Sequence, residues 1–396
     1  LGPLNLEVPE ITHALWVVDG QQRVTSLLGA LSVADRLGGV FRDYKVPVYI
    51  VTGDDQSVLR EVFDRVNSAG KPISRAQVFH ALFASEENPG SPASVVTALQ
   101  TTGFGSIPEN RVVQSLLGIR GGDVHRDPRE EFSSQEDPVD WYDMTEEALS
   151  RAIQFLRAQG IHHLHLMPNT MPLPVLATFF FVHPEPSPWN LRLLARWLWR
   201  GWIHGFGKEG GQTPVLRRAI RSIYPNKGKI EEVPDEYEAV KSLLEYVTDR
   251  EADAVSITNF RTDKAQSRLI LLALASLNPI DAHGKQIDIA RLYNSRGVEA
   301  VSEFVKGHRT EAAARGFWPV DSPAITEIGA REVFDSHAIS LEAERALKRG
   351  QVEAFLDLRR NTLRQIAQDF LSNRIEVDAI LRPPLDDLLV AGSEES

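Results

Sequence analysis

The chain of 396 residues has no cysteine. Disulfides, thiolate metal sites and thiol nucleophiles are therefore excluded, and a reducing interior is compatible with the composition. Long apolar runs are lacking as well. The longest, LPVLATFFFV (Leu173–Val182), is half of a membrane span and is flanked or interrupted by proline, so no membrane partner is expected. No signal peptide opens the sequence, and a cytoplasmic location is expected. No methionine stands at position 1, and Leu1 is followed at once by residues that read as a sheet interior. The expectation is a trimmed chain whose natural protein starts earlier. Positive charge is in deficit too. The net charge of −11 gives no general attraction to nucleic acid, so a DNA contact needs a local basic patch. No internal repeat is present.

What is there is an ordinary globular composition, 42% hydrophobic and 24% charged, with enough length for two or three domains. HALWVVD and YKVPVYIV read as strands. Between them Val24, Leu27, Leu28, Leu31 and Ala34 recur at helical spacing. SVLREVFDRVN gives a second helix. Ser74 and Gln77 have the spacing of a capping box for a third. Beyond ENPGSP (Glu87–Pro92) strand signals nearly vanish. Arg120–Asp140 reads as a long exposed loop, and helical patterns return in MTEEALSRAIQFLRAQG and WNLRLLARWLWRGWIHGF. After YPNKGKIEEVPDE come DKAQSRLILLALASL and a last helix. On that helix Val352, Phe355, Leu356, Leu363, Ile366 and Phe370 form a stripe. The expected class is α+β. A mixed α/β domain spans 1–90, helical domains span 91–235 and 236–390, and a disordered tail spans 391–396.

The stretch WVVDGQQRVTSLLGAL (Trp16–Leu31) runs from a strand through Asp-Gly into a helix. Asp19 falls at the N-cap and Gln22 at the third helical position, so the two suit a reciprocal capping box. Capping leaves Gln21 and Arg23 unexplained. A cation in the first turn opposes the helix dipole by about 0.3–1 kcal/mol. An arginine beside free backbone N–H groups makes an anion site, and Gly20 lets a phosphate come close to the backbone. Asp19 could instead hold a divalent cation or orient a water. Spacing alone leaves capping and anion binding both open.

A second stretch, VFDRVNSAGKPISRAQVF, has a plain reading. Asn67 ends one helix, Gly70 and Pro72 turn the chain, and Ser74 caps the next helix. Together the two stretches resemble a known family. VVDGQQRVTSL is similar to the DGQQR signature of the GmrSD N-terminal-domain family. VFDRVNSAGKPIS is similar to its second stretch, F-x-R-[IL]-N-S-x-G-x-x-[LI]-S, in the same order and at the right separation. The resemblance covers roughly residues 16 to 80.

It implies a ParB/sulfiredoxin-like fold for the first domain and a prokaryotic role in restriction of modified DNA and phage defence. The family's DGQQR motif is implicated in nucleoside triphosphate hydrolysis. Carried over, Asp19, Gln21, Gln22 and Arg23 become the catalytic candidates, with Asp19 near a Mg²⁺ ion. Gly20, Arg23, Thr25, Arg65, Asn67, Ser68, Gly70 and Lys71 become the nucleotide-binding candidates. Arg65, Asn67, Ser68 and Gly70, with Ser74, form the second wall of the pocket. Two family features are missing from this sequence. One is a P-x-F-Q-R-x-[YF]-x-W pattern before the first motif. The other is a C-terminal His-Asn-His nuclease module, for which DSHAISLEAERAL supplies His337 and nothing further.

Other stretches favour ordinary readings. His162, His163 and His165 in IHHLHL lack the further ligands zinc needs and read as loop or core histidines. Trp199 and Trp202 read as core, with Arg196 and Arg200 at its edge, although stacking on nucleic-acid bases is conceivable. GFGKEGGQTP (Gly205–Pro214) lacks the Walker pattern and reads as a mobile surface loop. Ser336-His337 has no nucleophile elbow. The expected function is an NTP-binding, NTP-hydrolysing sensor or regulatory component of a prokaryotic DNA-defence system. Expected partners are a nucleoside triphosphate, modified DNA and a separate nuclease or defence protein. The alternatives are a non-catalytic adaptor of such a system and, more weakly, a DNA endonuclease.

Overall fold

The computed structural model describes residues 91–126, 139–206, 212–225, 232–252, 257 and 259–381. The chain divides into two compact units, Leu1–Leu82 and Phe83–Ser396, and every described residue belongs to the second. The described residues are predominantly helical. The ParB/sulfiredoxin-like part of the expected α+β class lies outside them.

The first helices pack around an unusually apolar one. They are α1 (Pro92–Gln100), α2 (Glu109–Ile119), α3 (Val139–Ala158) and α4 (Pro172–Val182). Residues 172–180 of α4 are all buried, so this helix has no polar face. A helix apolar all round must be enclosed on every side. α2 and α3 cover α4 from one part of the chain, and α6 (Gln212–Ile223) covers it from another. The α2–α4–α6 junction is close. A Cβ on Gly118 would come within 2.5 Å of the Thr178 hydroxyl and 3.2 Å of Ile220. The apolar run that is too short for a membrane is thus a core helix, and no helix among the described residues is long and apolar enough to cross a membrane.

Several helices start at a short polar cap. Ser91 and Ser94 bond reciprocally at α1, and Pro92 occupies the first turn, where its missing N–H costs nothing. Ser187 accepts from the Asn190 N–H at 3.3 Å to cap α5 (Pro188–His204), whose first residue is again proline. Asp235 caps α7 (Glu236–Leu244). The linker expected over Tyr224–Glu236 therefore ends at that cap, and α7 packs back on α5. Two other loops are shorter than the sequence suggested. Val139 and Asp140 already belong to α3, and Gln212–Pro214 open α6. Residues 127–138 and 207–211 lie outside the described residues.

The rest is α8 (Ala265–Ala275), α9 (Ile289–Arg296), β1 (Val301–Glu303), β2 (Arg315–Phe317), α10 (Arg331–Ser336), α11 (Leu341–Lys348) and α12 (Val352–Ile375). β1 and β2 pair antiparallel, with Ser302 opposite Gly316. Phe304 folds over that glycine, where a Cβ would sit 2.4 Å from its ring. The pair is too short to show an alternating pattern in the sequence and was not anticipated. α12 packs on α5, α8 and α11. Its expected stripe needs one correction. Phe355, Leu356, Leu363 and Phe370 are buried, Val352 and Ile366 are only half-buried, and Arg359 takes a fully buried place among them.

Candidate functional site

The motif residues lie outside the described residues. This holds for Asp19, Gly20, Gln21, Gln22, Arg23 and Thr25 of the first motif and for Arg65, Asn67, Ser68, Gly70, Lys71 and Ser74 of the second. Within the described residues, no three or more His, Asp or Glu side chains gather as a metal site. The histidines of IHHLHL divide by role. His162 is exposed. His163 is buried, accepts from the His165 N–H at 3.1 Å and stacks on Tyr293 at 5.0 Å. Burial, with His165 adjacent, pushes the His163 pKa down to about 4. It is a core histidine that caps a single 3₁₀ turn, Leu164–Leu166.

The most developed polar site lies between α5 and the end of α12. Arg192, Arg196 and Arg200 recur every four residues and so share one face of α5. They meet Glu376, which follows α12 in the left-handed conformation at φ 46°. That conformation costs a non-glycine residue on the order of 1 kcal/mol or more. Here it is held from several sides. The Arg192 Nε donates to Glu376 Oε1 at 2.9 Å, and the Arg196 Nε donates to Oε2 at 2.9 Å. Arg200 donates to the carbonyls of Ile375 at 2.8 Å and Glu376 at 2.7 Å, which are the free acceptors at the helix end. It also pairs with Asp249 at 2.7 Å.

Arg196 and Arg200 are 1% and 3% exposed, so they stand inside the core and not at its edge as the sequence suggested. Their carbonyl and carboxylate partners make that burial tolerable. Burial works to raise the Glu376 carboxyl, but the hydrogen bonds from Arg192 and Arg196 outweigh it and hold the group below the usual range. The pair with Glu376 raises Arg192. Burial lowers Arg374, whose guanidinium lies 3.6 Å from the Phe370 ring centroid and 5.0 Å from that of Trp199. Gln159, Asn373, Arg192, Arg196 and Arg374 line a cleft of about 340 Å³. A second cavity, of about 140 Å³, lies beside Gly121 and Gly122, where Arg217 pairs with Asp123 at 2.9 Å.

The four-residue recurrence of arginine in α5 was visible in the sequence. Its partner was not, because Glu376 is 180 residues from Arg196 along the chain and nothing local marks it. Comparison with protein-family models, curated proteins and solved structures finds no match for this chain.

Proposed function

We propose that the chain is a nucleotide-binding, NTP-hydrolysing sensor or regulatory component of a prokaryotic DNA restriction or phage-defence system. The observation that carries this reading is the pair of stretches DGQQR (Asp19–Arg23) and FDRVNSAGKPIS (Phe63–Ser74), in the order and at the separation of the family they resemble. Arg23 is the residue that helix capping does not explain, and its planar donors suit phosphate oxygens. Gly20 admits the phosphate to the backbone N–H groups. An ionised Asp19 only accepts hydrogen bonds, so its role is toward Mg²⁺ or the attacking water and not toward phosphate. Mg²⁺ supplies charge neutralisation on the phosphates, and hydrolysis is then mainly positioning. Arg65, Asn67 and Lys71 complete the pocket from the second stretch.

A non-catalytic adaptor is the second reading. The net charge of −11 favours it, since it argues against direct action on DNA. Calorimetry with NTP and Mg²⁺, together with phosphate release, separates the two. The sensor reading expects Arg23→Ala to weaken binding about ten-fold or more. It expects Asp19→Asn, which keeps much of the cap, to lose turnover with binding retained. Failure of the wild-type chain to bind any nucleotide leaves the adaptor. DNA cleavage by the chain alone would replace both readings with an endonuclease.

A further inference from the structure

The cleft at the end of α12 holds more positive charge than capping that helix requires. Arg196 and Arg200 are committed to Glu376, Asp249 and the helix carbonyls. Arg374 is not committed. Among the described residues no carboxylate pairs with it, and its hydrogen bond is to Phe370 O at 3.3 Å, within its own helix. The Arg192 side chain bonds Glu376 and is still 58% exposed. Among the described residues the cleft's ionic groups are Arg192, Arg196 and Arg374 against Glu376, so three positive charges face one negative and two remain. A chain with a net charge of −11 keeps this surplus in one concave place. Gln159 and Asn373 stand beside it with side-chain amides that bond to nothing among the described residues. The indole N–H of Trp199, in the cleft wall, is buried without a partner.

A surplus of two selects for a dianion. A carboxylate or an internal phosphodiester brings one negative charge and leaves the other cation unmatched. A phosphate monoester brings −1.5 to −2 at neutral pH and three acceptor oxygens, which suit guanidinium forks. The cleft, at about 340 Å³, has the size of a small-ligand site. The geometry points to this cleft as a binding site for a small phosphate monoester. Arg192 and Arg374 hold the phosphate, Gln159 and Asn373 supply amide contacts, and the organic part lies along Leu191 and Trp199. The site uses none of the motif residues and does not depend on the proposed NTP chemistry.

Titration calorimetry of the full chain with phenyl phosphate tests it, in EDTA so that any Mg²⁺-dependent NTP site is silent. Saturable one-to-one binding is expected. Arg192→Gln and Arg374→Gln should each weaken it about ten-fold or more, and the methyl ester of the same probe should bind about ten-fold more weakly than phenyl phosphate. Arg374→Gln disturbs the packing on Phe370, so the exposed Arg192→Gln decides if the first variant fails to fold. No saturation by the wild-type chain overturns the inference. So does unchanged affinity in Arg192→Gln. Equal affinity for the ester overturns it as well, in favour of a nucleic-acid backbone. NTP turnover with Mg²⁺, assayed separately, shows which of the two proposals has failed.

Discussion

Arg359 and Arg196 are both inaccessible, at 0% and 1% exposure, and both stand on long helices. Their surroundings differ in kind. Arg359 meets no carboxylate among the described residues. It donates to the carbonyls of His337, Ala313 and Arg315 and lies on the Phe304 ring at 4.8 Å. Burial lowers its pKa to about 9, which still leaves it charged at neutral pH. Arg196 has one carbonyl acceptor, Ile380 O at 3.2 Å, and otherwise meets a carboxylate shared with an exposed arginine, at the wall of an open cleft. Carbonyls of a folded backbone cannot leave, so Arg359 is a strut that ties α12 to β2 and to the turns beside it. A carboxylate side chain shared among cations can redistribute, so the Arg196 group can admit another anion. Depth alone does not separate a structural arginine from one at a site; the mobility of its acceptors does.

The largest expected effect lies on the strut. Arg359→Met leaves three buried carbonyls without their donors and should cost about 3–5 kcal/mol. The urea midpoint of unfolding measures it. A loss under about 1 kcal/mol would mean that the carbonyls find other donors and that the contrast is empty.

Next comes the histidine on the same strut. His337 gives its backbone carbonyl to Arg359, and its ring nitrogen Nε2 lies 2.9 Å from Ile280 O. Burial pushes its pKa down to about 4; the bond to Ile280 resists this, and the charge of Arg359 adds to it. The unfolded group takes its proton first, near pH 6.5. The stability that neutral His337 contributes is thus complete above pH 6.5 and is lost as pH falls toward 4, by at most about 3 kcal/mol. His163, depressed to the same region, adds a parallel slope. Denaturation midpoints between pH 7 and 4.5 should fall less steeply in His337→Gln than in wild type. Identical slopes would show that the ring is already solvated.

The smallest effects separate the cleft from the strut. Glu376→Gln deprives buried Arg196 of its anion and should cost about 1–3 kcal/mol, whereas exposed Arg192→Gln should stay within about 0.5 kcal/mol. The Glu376 carboxyl is held below its ordinary range, so its contribution is present above about pH 4.3 and is lost as pH falls below that. Thermal melts at pH 7 and pH 3 compare the three proteins. If Arg192→Gln costs as much as Glu376→Gln, the cleft is a second clamp and not a site.

How much of this was legible follows the range over which each signal acts. Helical patterns were readable in MTEEALSRAIQFLRAQG and WNLRLLARWLWRGWIHGF, where α3 and α5 lie, because periodicity acts within four residues, whereas the caps at Ser187 and Ser340 went unread. The stripe of α12 was readable at Phe355, Leu363 and Phe370 for the same reason. Arg359 was not, since a cation on an apolar face reads as a boundary until three distant carbonyls are found to surround it. Arg196 and Arg200 were placed at an edge because their acceptors, Glu376 and Asp249, come from far along the chain. The motif pair at Asp19–Arg23 and Phe63–Ser74 was the sharpest signal in the sequence. It falls outside the described residues, so it stands on the sequence alone.

Helix α4 has a consequence for the order in which the chain is made. It leaves the ribosome after α2 and α3, which cover part of it, and before α6, which covers another part. At about 5–20 residues per second, the residues from Val182 to the end of α6 at Ile223 take several seconds to follow. During that interval a segment whose single polar side chain is Thr178 and which contains three consecutive phenylalanines, Phe179 to Phe181, has only part of its enclosure. Slower translation through α5 lengthens the exposure and favours aggregation of nascent chains, and a chaperone that holds the segment until α6 emerges removes the hazard.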